Sequence, residues 1–267
     1  MPTFDTPQPI TATLEIAAGA VRLVATARTD AVVEVRPRDE SRAHDVRAAE
    51  QVRVDFSNGT LVVASNRGFS FPRRGAVVVD VALPSGSRLQ ASVASASVTA
   101  DGEYADCKLA SSSGDLSVES VRGKIKADTA SGDVAVALAM DSAAVSTASG
   151  DVSLGALRGA AKFRTASGAL RIGKLEGDLN AQSATGDVTI TTAVKGNIAV
   201  QTSSGEVGLG IAEDTAAQLD LQTRSGSVRN HLQPSDGPAH GDETLTVRAR
   251  TGSGDVVVAR AIGPVTA

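Results

Sequence analysis

The stretch from Thr129 to Leu175 reads TASGDVAVALAMDSAAVSTASGDVSLGALRGAAKFRTASGALRIGKL and repeats one short pattern three times. Each repeat is marked by the glycine of a Ser-Gly unit, or of the pair Thr185-Gly186 in one copy. The markers recur at a constant 18-residue interval between positions 114 and 186, and the later intervals are longer. Spacing of this regularity is typical of a repeat architecture. The markers are Gly114, Gly132, Gly150, Gly168, Gly186, Gly205, Gly226 and Gly254.

Each unit contains a second turn near its midpoint. Gly123, Gly159 and Gly177 lie nine residues after their markers, and Asp141 takes this place in another copy. Between the turns apolar and polar residues alternate, as a half-buried strand requires. A unit of this length with two turns leaves no room for two helices of three turns each. The sequence therefore predicts an all-β fold, a β-solenoid of roughly 18-residue coils with two strands per coil.

The composition is consistent with a thin core. The chain of 267 residues has 2% aromatic residues, with no Trp, one Tyr and five Phe. Two sheets packed about 10 Å apart hold Val, Leu and Ile more readily than large rings. We expect an aliphatic core.

Residues 1–88 lack the 18-residue glycine spacing but contain further segments with the residue pattern of β-strands. Asn58-Gly59 predicts a tight hairpin of the primed type. The segment 38–50 (RDESRAHDVRAAE) is compatible with a helical turn or a polar loop. Because an open sheet edge invites aggregation, we expect residues 1–88 to form an N-terminal antiparallel β cap. Residues 89–267 then form the solenoid, with one continuous core.

A row of acidic residues follows the marker glycines. Stacked carboxylates raise the possibility of a divalent-cation row, but Ala169 and Ser227 interrupt it. The second turns also lack the aspartate that a calcium-binding β-roll needs in every nonapeptide. We therefore interpret the row as a structural turn ladder, in which Asp and Ser bond nearby backbone. The ladder comprises the pairs Gly114-Asp115, Gly132-Asp133, Gly150-Asp151, Gly186-Asp187 and Gly254-Asp255, with Gly168, Gly205 and Gly226.

A hydroxyl column precedes the same turns, with one side chain per coil. We interpret it as hydroxyl pairing between neighbouring coils rather than as a ligand-binding face. Its members are Thr129, Thr147, Thr165, Ser183, Thr202 and Thr223.

The longest interval contains a polar segment, residues 229–243. His231, His240 and Asp242 are the candidate metal ligands of the chain, and a hydrolase using this segment is one hypothesis. Pro234 and Pro238 favour a plain polar loop.

Several function classes are disfavoured. The net charge of −4 is spread without basic clusters, which argues against nucleic-acid binding. The single cysteine, Cys107, excludes an intramolecular disulfide, and no catalytic or cofactor-binding motif is present. Neither a signal sequence nor a membrane segment is visible, so we expect a cytoplasmic protein without a cofactor. Export by a non-classical route is the alternative.

The repeated SGDV and SGDL units, the opening residues 6–37 and the segment 219–232 (LDLQTRSGSVRNHL) resemble a bacterial family. Its members are the toast-rack, or β-strand-repeat, proteins of unknown function that are labelled "putative adhesins". The resemblance implies a β-solenoid-like repeat domain without established catalytic residues. It also implies scaffolding, ligand sensing or adhesion, with a link to envelope stress.

These observations together predict a non-enzymatic β-repeat protein. The expected role is a protein-interaction scaffold or a ligand-sensing module, with a protein partner. The alternative is a cell-surface adhesin or carbohydrate-binding protein.

Overall fold

The structure is a computed structural model that describes residues 2–65, 75–233, 237 and 243–261. Strands dominate the described residues, and the helix α1 (Ala43–Glu50) is short. The all-β prediction is confirmed. The chain divides into two compact units, Met1–Val136 and Ala137–Ala267, and each is described by itself.

The first unit begins with strands that lie outside the 18-residue spacing. These are β1 (Thr3–Asp5), β2 (Thr11–Thr26), β3 (Asp30–Pro37), β4 (Arg53–Ser57), β5 (Thr60–Ala64) and β6 (Val77–Pro84). The pairs β1–β3, β3–β6 and β4–β5 are antiparallel. Asn58 and Gly59 connect β4 to β5, and both have positive φ, as the primed turn predicted from the sequence requires. The segment that was compatible with helix or loop forms α1 over its C-terminal part.

Strand β2 departs from the purely antiparallel arrangement expected of residues 1–88. It runs parallel to β5, to β6 and to the long strand β7 (Ser87–Ser111). Gly19 divides β2 into two halves and pairs in register with Ala96, while Val21 pairs with Val98. Residues 11–26 therefore already form a coil of the stack. The division of the chain at 88/89 remains a prediction.

Parallel stacking continues in the first unit through β8 (Leu116–Val121) and β9 (Lys124–Thr129), both of which pair with β7. The core is aliphatic, as the composition predicts. Its largest fully buried side chain is Tyr104, and Cys107 packs in register with Ile125.

The second unit contains the regular coils, and β10 (Val134–Ala139) spans the boundary between the units. Its other strands are β11 (Ser142–Thr147), β12 (Val152–Arg158), β13 (Ala160–Ser167), β14 (Leu170–Glu176), β15 (Leu179–Thr185), β16 (Val188–Ser204), β17 (Val207–Ile211), β18 (Thr215–Ser225), β19 (Val228–Asn230), β20 (Glu243–Ser253) and β21 (Val256–Arg260).

The regular coils form two parallel sheets. The first sheet contains β12, β14, the N-terminal half of β16 and β17; the second contains β11, β13, β15 and the C-terminal half of β16. The 18-residue spacing sets the register, since Val152 pairs with Leu170 and Leu170 with Val188. Each member of this column is 1% exposed. The β-solenoid of 18-residue coils is confirmed.

The last coils do not stack in sequence order. Strand β20 lies between β16 and β18, and β21 lies between β17 and β19. The coil made by β18 and β19 is therefore the outermost coil of the second unit. The segment between β19 and β20 leads from this outermost coil back to the coil inside it.

Candidate functional site

The turn ladder joins neighbouring coils through hydrogen bonds from backbone N–H groups to aspartate carboxylates. The carboxylate of each aspartate described below accepts a hydrogen bond from the backbone N–H at the equivalent position of a neighbouring coil. In the second unit Asp151 accepts from Ala169 at 2.8 Å and Asp187 from Glu206 at 2.8 Å. In the first unit Asp115 accepts from Asp133 at 3.0 Å. These carboxylates satisfy donors of the turn, which supports the structural interpretation of the ladder.

The same contacts explain the acidity of two ladder carboxyls. The backbone N–H of Ala169 and the Arg171 guanidinium hold the pKa of Asp151 below its ordinary value, since both favour the charged form. The backbone N–H of Ser227 does the same for the pKa of Asp255, to which Arg229 adds a weaker attraction. Both carboxylates are stabilised as anions by the fold itself.

The hydroxyl column bonds mainly to backbone, which corrects the expected hydroxyl pairing between coils. Thr147 accepts a hydrogen bond from the N–H of Gly150 at 2.8 Å, within one turn. Thr223 donates to the carbonyl of Gly254 in the adjacent coil at 3.0 Å. Thr165 and Ser183 bury hydroxyls that have no partner within the described residues. The hydroxyl groups of Thr147 and Thr223 therefore stabilise the turns through hydrogen bonds to backbone atoms.

Backbone conformation and close packing explain why the later turns contain glycine. Gly186 has a positive φ, and a Cβ placed there would lie 2.2 Å from the carbonyl oxygen of Gly168. Side chains are excluded because the backbones of successive coils touch at this turn.

The candidate metal ligands are not brought together among the described residues. His231 donates its backbone N–H to the carbonyl of Val258 at 2.8 Å. His240 and Asp242 lie outside the described residues. Over the ranges 2–65, 75–233 and 243–261, no group of three His, Cys, Asp or Glu side chains is placed to hold a metal ion.

The outer surface of the second sheet of unit two carries exposed Lys, Arg, Asn and Gln side chains. We call this surface the amide–cation face. Its strands alternate apolar residues, which point into the core, with exposed polar residues. In β13, for example, Phe163 is buried while Lys162 and Arg164 are exposed. The face comprises Lys162, Arg164, Asn180, Gln182, Gln201, Gln222, Arg224, Arg248 and Arg250, with Asp220 as its acidic member.

Strand register aligns this face into rows. Arg164 pairs with Gln182, Gln182 with Gln201, and Gln201 with Arg250, which pairs in turn with Gln222. Neighbouring strands lie about 4.8 Å apart, so the five side chains cover about 19 Å. Amides separate the two guanidinium groups, which keeps like charges apart. The row is a straight array of donors on a rigid sheet.

The face is electropositive although the chain is acidic. Asp220 approaches Arg248 at 3.3 Å and Arg250 at 3.8 Å. Among the residues that the structure describes, Lys162, Arg164 and Arg224 form no ion pair and are exposed. Unpaired cations on one surface attract anions at long range.

A cleft of about 580 Å³ opens at one end of this face. Gly252 lies between Ser203 and Arg224 in adjacent strands, and a Cβ placed there would lie 2.6 Å from the carbonyl oxygen of Ser203, because the two backbones approach closely at this point. Hydroxyl, amide and guanidinium groups surround the cleft. The lining residues are Gln201, Thr202, Ser203, Gln222, Thr223, Arg224, Arg250, Thr251 and Gly252.

Sequence reasoning missed this face, although a signal was present. Each of Arg164, Gln182, Gln201 and Gln222 stands one residue before a member of the hydroxyl column. Because strand side chains alternate, the residue before an inward hydroxyl must point outward. To place Arg250 in the same row, the order in which the last coils stack must also be known.

Within the described residues, no helix has the length and apolar character needed to cross a bilayer. No curated protein matches the chain. Several solved structures resemble it at low sequence identity. One described as "Putative lipid binding protein" from Parabacteroides distasonis is 14% identical over 97% of this chain and 96% of its own, with a TM-score of 0.47. A "putative adhesin" from Parabacteroides merdae is 12% identical over 97% of this chain and 95% of its own, with a TM-score of 0.41. None of these likenesses indicates a function.

A family model also matches nearly the whole chain, and this match shows the family. The family model described as Toastrack DUF4097 matches residues 13–266. The match begins within β2 and covers the later N-terminal strands as well as the regular coils, and it agrees with the resemblance carried by the repeated SGDV and SGDL units. The chain belongs to the Toastrack DUF4097 family.

Proposed function

We propose that this chain is a non-enzymatic binding scaffold whose amide–cation face holds an extended, acidic segment of a protein partner. The observation that carries the proposal is the row of guanidinium and amide groups that the register of β13, β15, β16, β20 and β18 creates. Guanidinium groups form strong, charge-assisted hydrogen bonds with carboxylates. The row offers such bonds at Arg164 and Arg250, with the amides of Gln182 and Gln201 between them.

The shape of the face suits an extended partner. Donor groups about 4.8 Å apart on parallel strands form a flat, stiff track rather than a closed pocket. Buried residues such as Phe163 and Val200 fix the strands beneath the track, so the spacing of its donor groups is set before binding. An acidic peptide that lies across the strands meets Arg164 and Arg250 in succession.

The same chemistry disfavours nucleic acid. Single strands are held by aromatic platforms and duplexes by dense Lys and Arg clusters. The residues described on this face include no aromatic side chain, and two amides separate the guanidinium groups of Arg164 and Arg250 in its row. Carboxylates of a protein segment match this pattern better.

A second candidate is carbohydrate binding, which the cleft favours. Its lining of hydroxyl, amide and guanidinium groups around Gly252 can bond sugar hydroxyls and uronate carboxylates. A cell-surface adhesin would use such a site. For the leading proposal we assign the chain to the cytoplasm, and protease treatment of intact cells followed by fractionation tests this assignment.

Fluorescence anisotropy with a labelled poly-glutamate peptide tests the proposal. We expect binding that weakens as salt rises, and the double variant Arg164→Gln/Arg250→Gln to weaken it by about tenfold or more. Arg22→Gln is the matched control, because Arg22 is an exposed arginine of the first unit without an ion pair in the described residues. It should leave binding unchanged.

Alginate, a polyuronate, is the second probe in the same assay. Binding of alginate without binding of poly-glutamate would replace the leading proposal by the second candidate. Binding of neither probe would refute both.

A further inference from the structure

The outermost coil of the second unit presents an open sheet edge. Strand β18 pairs with β20 and β19 pairs with β21, and no other described strand pairs with either of them. The free side of β18 exposes a row of backbone N–H and C=O groups. Such an edge is a template for another strand.

The core also opens at this edge. Val247 and Val256 are 0% exposed in the coil inside, whereas Val228, which pairs in register with Val256, is 43% exposed. Leu219 and Leu221 are only half-buried in β18. Among the residues that the structure describes, none covers the free backbone groups of β18 or the exposed part of these apolar side chains.

The charges of β18 match a second copy of the same strand. Asp220, Gln222 and Arg224 are alternate residues on the outer face. In an antiparallel pair of two β18 strands centred on Gln222, Asp220 of one copy lies opposite Arg224 of the other, and the symmetry repeats this contact. On the core face the same register brings the Leu221 side chains of both copies into diagonal contact.

We propose that the free edge of β18 docks a second copy of this chain, forming a two-fold symmetric dimer through antiparallel β18–β18 pairing. Self-complementary edges of this kind give closed, isologous interfaces. The pairing satisfies the free backbone groups and covers Leu219 and Leu221. It also joins two amide–cation faces into one surface, which would strengthen binding to a long acidic partner through avidity.

Sedimentation equilibrium of the full chain, up to about 100 µM protein, tests the proposal. The wild type should form dimers. Arg224→Asp places two acids opposite each other at both symmetric positions, and we expect a dissociation constant at least about tenfold higher. Combining it with Asp220→Lys restores the opposite charges and should recover most of the affinity. Far-UV circular dichroism of each variant reports folding.

Two further variants keep the test decisive. Gln222→Lys places two cations on the symmetry axis and replaces the amide that donates a hydrogen bond to the Asp220 carboxylate at 3.1 Å, and it should also favour the monomer. Arg164→Asp removes a cation from the same face away from the edge, and it should leave the dissociation constant unchanged. A wild type that stays monomeric, or a double variant that fails to recover dimers, overturns the proposal.

Discussion

The order of the last coils makes a sharp prediction about two valines. Val256 in β21 and Val228 in β19 pair in register and occupy the same core column. They are 0% and 43% exposed, respectively. Stacking in sequence order would reverse the two environments, because β21 would then form the end of the stack. Val256→Ala and Val228→Ala therefore distinguish the two arrangements with one type of substitution.

The expected magnitudes follow from burial. Val→Ala removes two methyl groups, which contribute about 0.8 kcal/mol each when fully buried, or about 1.6 kcal/mol. A residual cavity of about 40 Å³ adds about 1 kcal/mol. We expect Val256→Ala to lower the free energy of unfolding by about 2.5 kcal/mol. At the half-exposed Val228 the transfer contribution shrinks and no closed cavity forms, so we expect less than about 1 kcal/mol.

Urea unfolding followed by far-UV circular dichroism measures both changes, since the chain has no Trp and one Tyr for fluorescence. The variants should unfold with the same slope as the wild type and differ in midpoint. Equal losses at both positions, or a larger loss at Val228, would contradict this order of the coils.

Three further outcomes are expected. Gly186→Ala should cost several kcal/mol in urea unfolding, because a Cβ there meets backbone, whereas Gly59→Ala, at a positive φ but in open space, should cost about 1 kcal/mol. The pKa of Asp151 is lowered by folding, so its contribution to stability is present above the unfolded-state pKa and disappears as pH falls through the folded-state pKa. The difference in melting temperature between wild type and Asp151→Asn should accordingly vanish in acid, and an unchanged difference at pH about 2 would contradict this reasoning. Burial raises the pKa of the Cys107 thiol to about 12, so a thiol reagent at neutral pH should label it only when the first unit unfolds; rapid labelling of the native protein would exclude a buried thiol.

Much of the fold could be predicted because each coil repeats the same order of turns and strands. The glycine spacing identified the turns, period-two alternation identified the strands, and the paucity of aromatics indicated a thin core. Asn58-Gly59 specified its hairpin through backbone conformation alone. These features depend on neighbouring residues, which a single sequence displays directly.

The missed features depend on contacts between distant segments. Gly19 and Val21 stack on Ala96 and Val98, but strands β3 to β6 lie between these two segments along the chain, so no constant spacing relates them. The amide–cation face was missed for a similar reason, since its rows exist only after strands from separate coils are aligned. Regular spacing in the sequence predicts which strand pairs with a strand one coil away. It does not predict pairing between segments that are separated by other strands.

The exchanged order of the last coils has a physical cause in the sequence itself. Asn230 occupies the position in β19 that pairs with Val258 in β21, and Val258 in turn pairs with Leu209. Stacking in sequence order would place the Asn230 amide between these two apolar residues, where an unpaired polar group costs about 1–3 kcal/mol or more. In the observed order Val258 fills the interior position at 0% exposure, and Asn230 is exposed, with its side-chain carbonyl oxygen accepting a hydrogen bond from the backbone N–H of Leu232 at 3.0 Å. Strand β19 therefore forms the end of the stack, and the later strand β21 occupies the position between β17 and β19, because the side chains of β21 are the ones that suit the interior.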